Sequence, residues 1–377
     1  MAFQFRTKFL SMFLADVDVN PNLSNSLPGC MLGTRENEND PFLLTPGGIR
    51  AIQIQPTLNC NLRCHHCYSE SGPSRSGYIR AEELLPFLSD AKTLGYNYVG
   101  VSGGEPLVWP DLIKFLRGAA KMGYSTSVVT NGTLLTPDSV SELKDTVEVI
   151  AISIDGPPEE HNAMRASASA FKRMQRGLSV LRDFKVPFVL VFTLTLSNAD
   201  RLSWIYQFAD AEGARALEVH PLCNFGAASI NLFDVIPDSR EFKVASWLLA
   251  LLVEQRGRGG PGVIFDVVNQ EVVERACWPM LPGRRQLRAE ARFSELVPTL
   301  IVEPDGCIVP FIYGFPRQWA IGLLKNNNFP SAVAAWRARS LKPIATLIET
   351  TLERLKLSRA GLIDLFGELL ATAHGKK

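Results

Sequence analysis

Arg50-Ala-Ile-Gln-Ile-Gln alternates apolar and polar positions and stops at Pro56, the pattern of a short β-strand. A helical stretch follows at Tyr78-Ile-Arg-Ala-Glu-Glu-Leu-Leu-Pro-Phe-Leu, with Glu82 and Glu83 placed where a helix N-terminus favours carboxylates. The unit then recurs. Tyr96–Ser102 leads to a helix around Asp111–Met122, Ser125–Thr130 to Pro137–Lys144, and Val147–Ser153 to a helix through Phe171–Phe184. Pro187–Thr195 leads to Ala199–Ala211, and Arg215–His220 to Ser239–Glu254. Strands that alternate with helices predict a parallel sheet with helices outside it, barrel-like or doubly wound.

The flanks read differently. Residues 1–48 are an irregular lead-in, rich in Asn, Pro and Gly around Asn20–Gly29 and Thr34–Pro41. Arg256-Gly-Arg-Gly-Gly-Pro-Gly is the clearest linker. Beyond it, Val263–Val268 and Thr299–Phe311 predict a small β-rich appendix over 259–330, with a hairpin turn at Pro304-Asp-Gly. From about Ser331 to Ala373, Ile344, Leu347, Ile348, Leu352 and Leu355 keep helical spacing. No short repeat accompanies these elements, so a solenoid is excluded.

Composition narrows the function classes. The chain has 377 residues, 46% of them hydrophobic, which excludes a disordered protein. Lys and Arg number 39 against 38 Asp and Glu, so no basic field for nucleic acid exists. No apolar run reaches membrane-spanning length. The N-terminal stretch meets Asp16 and Asp18 too early for a secretory signal. Seven cysteines, an odd number in a long chain, argue for a reducing compartment rather than a disulfide scaffold.

Three of those cysteines crowd into Pro56-Thr-Leu-Asn-Cys60-Asn-Leu-Arg-Cys64-His-His-Cys67-Tyr, directly after the first strand. Thiolates suit soft sites, zinc or an iron–sulfur cluster. A structural zinc site wants a fourth ligand, which His65 or His66 offers. A cubane held by three cysteines keeps one iron open, as catalysis requires. Loops at the C-terminal ends of parallel strands are where such folds place their sites.

This segment resembles the signature of the radical SAM superfamily, Cys-x-x-x-Cys-x-aromatic-Cys, with His66 at the aromatic position. Further motifs follow in order at the strand ends: Ser102-Gly-Gly-Glu-Pro106, Thr130-Asn-Gly132, Ser153-Ile-Asp-Gly156 and Glu160-His-Asn-Ala-Met-Arg165. The likeness covers about residues 49–225 and points to the cofactor-maturation and peptide-maturase branch. Taken singly, each motif has an ordinary reading as a turn, a cap or a solvated arginine. Jointly those readings leave the cysteines unexplained.

The resemblance implies a partial (β/α)6 TIM-like barrel over 49–258, the β-rich appendix, and C-terminal helices over 331–377. It implies that Cys60, Cys64 and Cys67 hold one [4Fe–4S] cluster and that S-adenosylmethionine binds the open iron. Gly103, Gly104 and Glu105 would line the methionine amine, Ser153 and Asp155 would contact the ribose or its surroundings, and Arg165 would pair with the methionine carboxylate. His66 would lie beside adenine. His220 and Cys223 follow the sixth strand and face the cluster end, where a thiol can donate a hydrogen atom to a substrate radical; packing is the bland alternative for both.

Val302–Phe311 with Ala320–Leu324 and Trp336 resembles the SPASM or twitch appendix of that family, except that Phe311 stands where a cysteine is expected. The expectation is an appendix without a cluster; Cys223, Cys277 and Cys307 are the alternative ligand set. The implied function is radical chemistry on a peptide or protein side chain, with a separate leader-binding protein as a candidate partner. Alternatives are the same chemistry on a small-molecule cofactor or natural-product precursor, and a zinc-binding scaffold without activity. A flavodoxin- or ferredoxin-type electron donor and a cytoplasmic location follow from the oxygen lability of such a cluster.

Overall fold

A computed structural model of the protein describes residues 49–269, 273, 278–326, 328–358 and 361–375. The lead-in over 1–48, with Cys30, and Cys277 lie outside the described residues.

Six parallel strands form as the sequence predicts: β1 (Ala51–Ile54), β2 (Tyr98–Val101), β3 (Ser125–Thr130), β4 (Val149–Ile154), β5 (Phe188–Leu194) and β6 (Ala216–Pro221). The intervening helices are α1 (Ala81–Thr93), α2 (Leu112–Lys121), α3 (Pro137–Leu143), α4 (Pro158–Met164), α5 (Ala170–Asp183), α6 (Leu202–Glu212) and α7 (Ser239–Arg256). Local chemistry starts them. Glu83 accepts from the Arg80 backbone N–H at 3.2 Å ahead of α1, and Thr136 and Ser139 form a reciprocal cap on α3.

The strands have two buried faces, which is why they are apolar on most positions. The outward positions Ile52, Val99, Val128, Ile150, Leu190 and Leu217 pack with the helices into the main core. The inward positions Val129, Val149, Ala151, Val189 and Val191 form a separate apolar cluster in the barrel. Polar side chains share the barrel interior: Gln53, Tyr98, Ser127, Ser153, Glu218 and His220 are all buried on inward positions of their strands.

Two boundaries differ from expectation. β7 (Gly262–Phe265) was expected in the appendix, but it pairs in parallel with β6, Glu218 opposite Ile264. The Gly-rich stretch before it is a crossover within the barrel, because the exposed polar loop and a following apolar run suit either role. After the short β8 (Val268–Asn269), β9 (Thr299–Val302) pairs in parallel with β1, so the appendix extends the barrel's own sheet. β10 (Cys307–Pro310) and β11 (Gly322–Leu323) continue it antiparallel. Among the described residues the sheet order is β11-β10-β9-β1-β2-β3-β4-β5-β6-β7, and it does not close.

The helical tail is also broken. α8 (Phe329–Ser358) is followed by β12 (Leu362–Ile363), which pairs with β8, and by α9 (Leu365–Ala373). Phe311 takes a left-handed φ of 67°, an outlier for so bulky a residue, and packs among Trp278, Phe315 and Phe366. No described helix is long and apolar enough to cross a membrane.

Trp336 of α8 fastens the tail to the sheet. It is fully buried, meets Phe293 edge-on at 5.4 Å, and donates its indole N–H to the Trp319 carbonyl at 2.9 Å. Trp336→Ala should cost about 3–5 kcal/mol, read as a lowered urea midpoint; an unchanged midpoint would show that α8 does not hold the hairpin.

Candidate functional site

The loop between β1 and α1 carries the three cysteines at the C-terminal end of the barrel. It is closed on itself: Cys60 N–H donates to the Gly72 carbonyl and Gly72 N–H to the Leu58 carbonyl. Neighbouring loops then clamp it. After β2, Gly104 N–H donates to Thr57 and Glu105 N–H to Asn59, both at 2.9 Å. A Cβ on Gly104 would lie 2.0 Å from the Asn59 carbonyl oxygen, so glycine is required there by close approach of two backbones. After β6, Ala227 N–H donates to the Cys67 carbonyl, and a Cβ on Gly226 would meet the Tyr68 carbonyl at 2.2 Å. After α4, the Met164 carbonyl accepts from His65 N–H.

Cys60, Cys64 and Cys67 line one small cavity, about 30 Å³, with His66, Gly103, Gly104, Ser153 and Arg165. Each sulfur faces a donor. The Asn131 amide lies 4.0 Å from Cys60, Arg165 Nη1 lies 3.7 Å from Cys64, and Ser71 N–H donates to Cys67 at 3.4 Å. Burial, with Glu105 behind it, pushes the Cys60 thiol up to about 12; burial pushes Cys64 up to about 11 against the pull of Arg165. A metal must therefore displace protons from these thiols on binding.

Asp155, one residue past β4, is the hub. Burial alone would raise its pKa, yet Arg165 and His66 together hold it well below the carboxylate range. It accepts from Arg165 Nε at 2.5 Å and Nη2 at 3.0 Å, and meets His66 Nε2 at 2.9 Å. Its backbone N–H donates to His161 Nδ1 at 3.2 Å. Asn198, beyond β5, donates to the carbonyls of Asp155 and Thr193.

The expected residues thus divide. Cys60, Cys64, Cys67, His66, Gly103, Gly104, Ser153 and Arg165 share the cavity, and Asp155 braces its wall. Glu105 lies behind that wall: its carboxylate accepts from Thr130 Oγ1 at 2.6 Å, Asn131 N–H at 2.9 Å and Leu107 N–H at 3.1 Å. Burial raises its pKa. His220 lies one strand beyond the cavity-lining Thr193, its register partner, and its Nδ1 meets Asp266 at 2.9 Å. Cys223 instead lines a larger open cleft of about 600 Å³ with Phe225, Phe242, Arg354, Leu362 and His374. Cys223 and Tyr313 pack on Tyr68, which lines the cysteine cavity, so these side chains divide the two spaces.

Sequence reasoning passed over Tyr68, Ser71, Val191, Thr193, His161 and Asn198. Val191 and Thr193 carry a usable signal, as inward alternate positions of β5. The others have none at the level of spacing. Ser153 Oγ is buried on the cavity wall with no hydrogen-bond partner among the described residues. Among the described residues no three His, Cys, Asp or Glu side chains converge on a single ion.

Residues 54–205 match the family model described as the radical SAM superfamily. An AdoMet-dependent heme synthase of Methanosarcina barkeri is 34% identical over 173 residues, 45% of this chain and 50% of that protein. An Fe-coproporphyrin III synthase of the same organism is 28% identical over 215 residues, 56% of this chain and 54% of that protein. The chain spans about half the length of these curated relatives. The crystal structure of Streptococcus suis SuiB bound to S-adenosylmethionine shares the fold, with a TM-score of 0.57 at 14% identity over 71% of this chain and 62% of that one.

Removing the hub carboxylate should expose its worth. Asp155→Asn leaves Arg165 buried without its counter-charge and should destabilise the protein by about 3–5 kcal/mol at pH 7. A carboxylate with a depressed folded pKa contributes stability above its unfolded value, about 3.9, and loses it as pH falls further. The gap between wild type and variant in thermal midpoint should therefore shrink below about pH 4. A gap independent of pH would show that the carboxylate's charge is not what stabilises the site.

Proposed function

We propose that the protein is a radical SAM enzyme whose substrate is a small molecule of the tetrapyrrole class. The observation that carries the first part is the cavity in which three thiols, two glycines, a partnerless serine hydroxyl and a fixed arginine meet. Cys60, Cys64 and Cys67 would hold a [4Fe–4S] cluster, with S-adenosylmethionine on the remaining iron. When bound and reduced, these groups supply a 5′-deoxyadenosyl radical that takes a hydrogen atom from the substrate.

The chain's own residues do the rest. Gly103 and Gly104 line the cavity and would bring backbone, rather than side chains, to the methionine amine. Ser153 Oγ offers a hydroxyl to the ribose half. His66, pinned by Asp155, presents a ring face beside the adenine position. Arg165 Nη1 is directed to Cys64, and its second N–H would be left for the edge of the methionine carboxylate. Glu105 positions the Thr130–Asn131 loop rather than touching the cofactor. Tyr68 and its neighbours keep bulk water out of the radical's path.

The tetrapyrrole reading rests on the relatives that match the barrel at 28–34% identity and are named for heme and Fe-coproporphyrin III synthesis. The adjoining cleft agrees with it: Phe225, Phe242, Leu362 and Ile363 supply apolar walls for a flat ring, and Arg354 supplies a cation. Cys223, on the border between cleft and cavity, would return a hydrogen atom to a substrate radical. A flavodoxin- or ferredoxin-type donor and a cytoplasmic setting complete the reading.

Oxygen-free reconstitution tests it. Wild type should bind one cubane's worth of iron and sulfide and release 5′-deoxyadenosine under reduction, and Cys60→Ala should lose both. Product formation should then appear with tetrapyrrole precursors and not with peptides. Stoichiometric zinc with no cluster would return the scaffold reading, and turnover of a peptide would move the substrate class.

A further inference from the structure

Resemblance assigned Arg165 to the carboxylate of a bound cofactor. In the fold, the carboxylate it grips is the protein's own. Nε and Nη2 are both engaged by Asp155, at 2.5 and 3.0 Å, in the two-pronged geometry that fixes a guanidinium plane. With that plane fixed, the remaining nitrogen has one direction left to point, and Nη1 lies 3.7 Å from Cys64 Sγ. Asp155 is itself held by His66 and, through its backbone, by His161, so the arginine cannot swing away without dismantling the hub. All four side chains are nearly inaccessible to solvent.

Burying an arginine and an aspartate at a strand end is not a favourable way to stabilise a fold, since well-packed apolar residues do as well or better. The arrangement has a different consequence. It is a fixed dipole with the cation at the ligand sulfur and the anion behind it, in a low-dielectric wall where charges are poorly screened. Hydrogen bonds and positive charge at ligand sulfurs favour the reduced form of an iron–sulfur cluster.

We propose that the Asp155–Arg165 pair sets the reduction potential of the cluster through Cys64, with Arg165 raising the potential and Asp155 limiting the rise. Arg165 is a positioning and tuning residue in this role, acting through the ligand sulfur. The inference rests on the cluster reading of the cysteines. It concerns only the ease of adding one electron from the external donor; no bond is made or broken by the pair.

The test is a redox titration of the reconstituted protein, followed by electron paramagnetic resonance, on wild type, Arg165→Gln, Arg165→Lys and Asp155→Asn. Iron and sulfide are counted first in each. Arg165→Gln should lower the potential so that the ratio of reduced to oxidised cluster at a fixed poise falls at least tenfold, ~59 mV for a one-electron couple. Asp155→Asn, which leaves the cation uncompensated, should shift it the opposite way. Arg165→Lys should lie between wild type and Arg165→Gln. Opposite shifts in the Gln and Asn variants support the proposal, because mere loosening of the wall would move both the same way. Equal shifts, or none in a variant that keeps its full cluster, overturn it. If one variant assembles no cluster, the sign of the shift in the others decides. A wild type that binds no cluster sinks the cysteine reading itself, and this inference with it, which is a different result from a cluster whose potential ignores both residues.

Discussion

Two opposite charges buried side by side constrain everything around them. Asp155 and Arg165 lie at the mouth of the barrel with almost no access to water. Neither survives there alone, since an isolated buried charge costs several kcal/mol. The surroundings answer to that need. His66, His161 and Asn198 each turn a donor or acceptor toward Asp155, and they come from the cysteine loop, helix α4 and the segment after β5. The pair therefore joins the cysteine loop, the segment after β4 and the segment after β5 into one rigid wall.

A second constraint is steric. The cysteine loop is held by backbone contacts at Gly104 and Gly226 so close that a methyl group would collide with a carbonyl oxygen. Such contacts fix the loop by shape as well as by hydrogen bonds, which suits ligands that must be in place before a metal arrives. The Gly104 contact also explains Glu105. With its backbone tied to Asn59 and its carboxylate tied to Thr130 and Asn131, it links the loops after β1, β2 and β3.

The division of space follows from these walls. A tight cavity lies over the cysteines, and a wide cleft opens beyond Cys223, bounded by α7, α8 and α9. A partition of Tyr68, Cys223 and Tyr313 separates them. A small space beside a larger one is the arrangement the proposed radical chemistry would use, one for the reacting groups and one for a bulky substrate. The tail helices belong to the site in this sense, because they form the far side of the cleft.

Local pattern alone determined much of this protein. Six strand-and-helix units are legible from alternation and helical spacing, because each element must bury one face whatever its neighbours do. The cysteine trio and the motifs at the strand ends are legible too, since their chemistry depends on short spacings within one loop. Pairing across the sheet is not local. That β7 continues the barrel, and that β9 returns to lie beside β1, depends on which edges remain open once the first six strands have formed. The roles of individual site residues were also decided by the tertiary structure. Glu105 turned inward because two donors from the end of β3, Thr130 and Asn131, reach its carboxylate, Arg165 met the carboxylate of Asp155, and His220 settled against Asp266. A sequence names the groups that carry charge; their partners depend on which loops the folded sheet brings together.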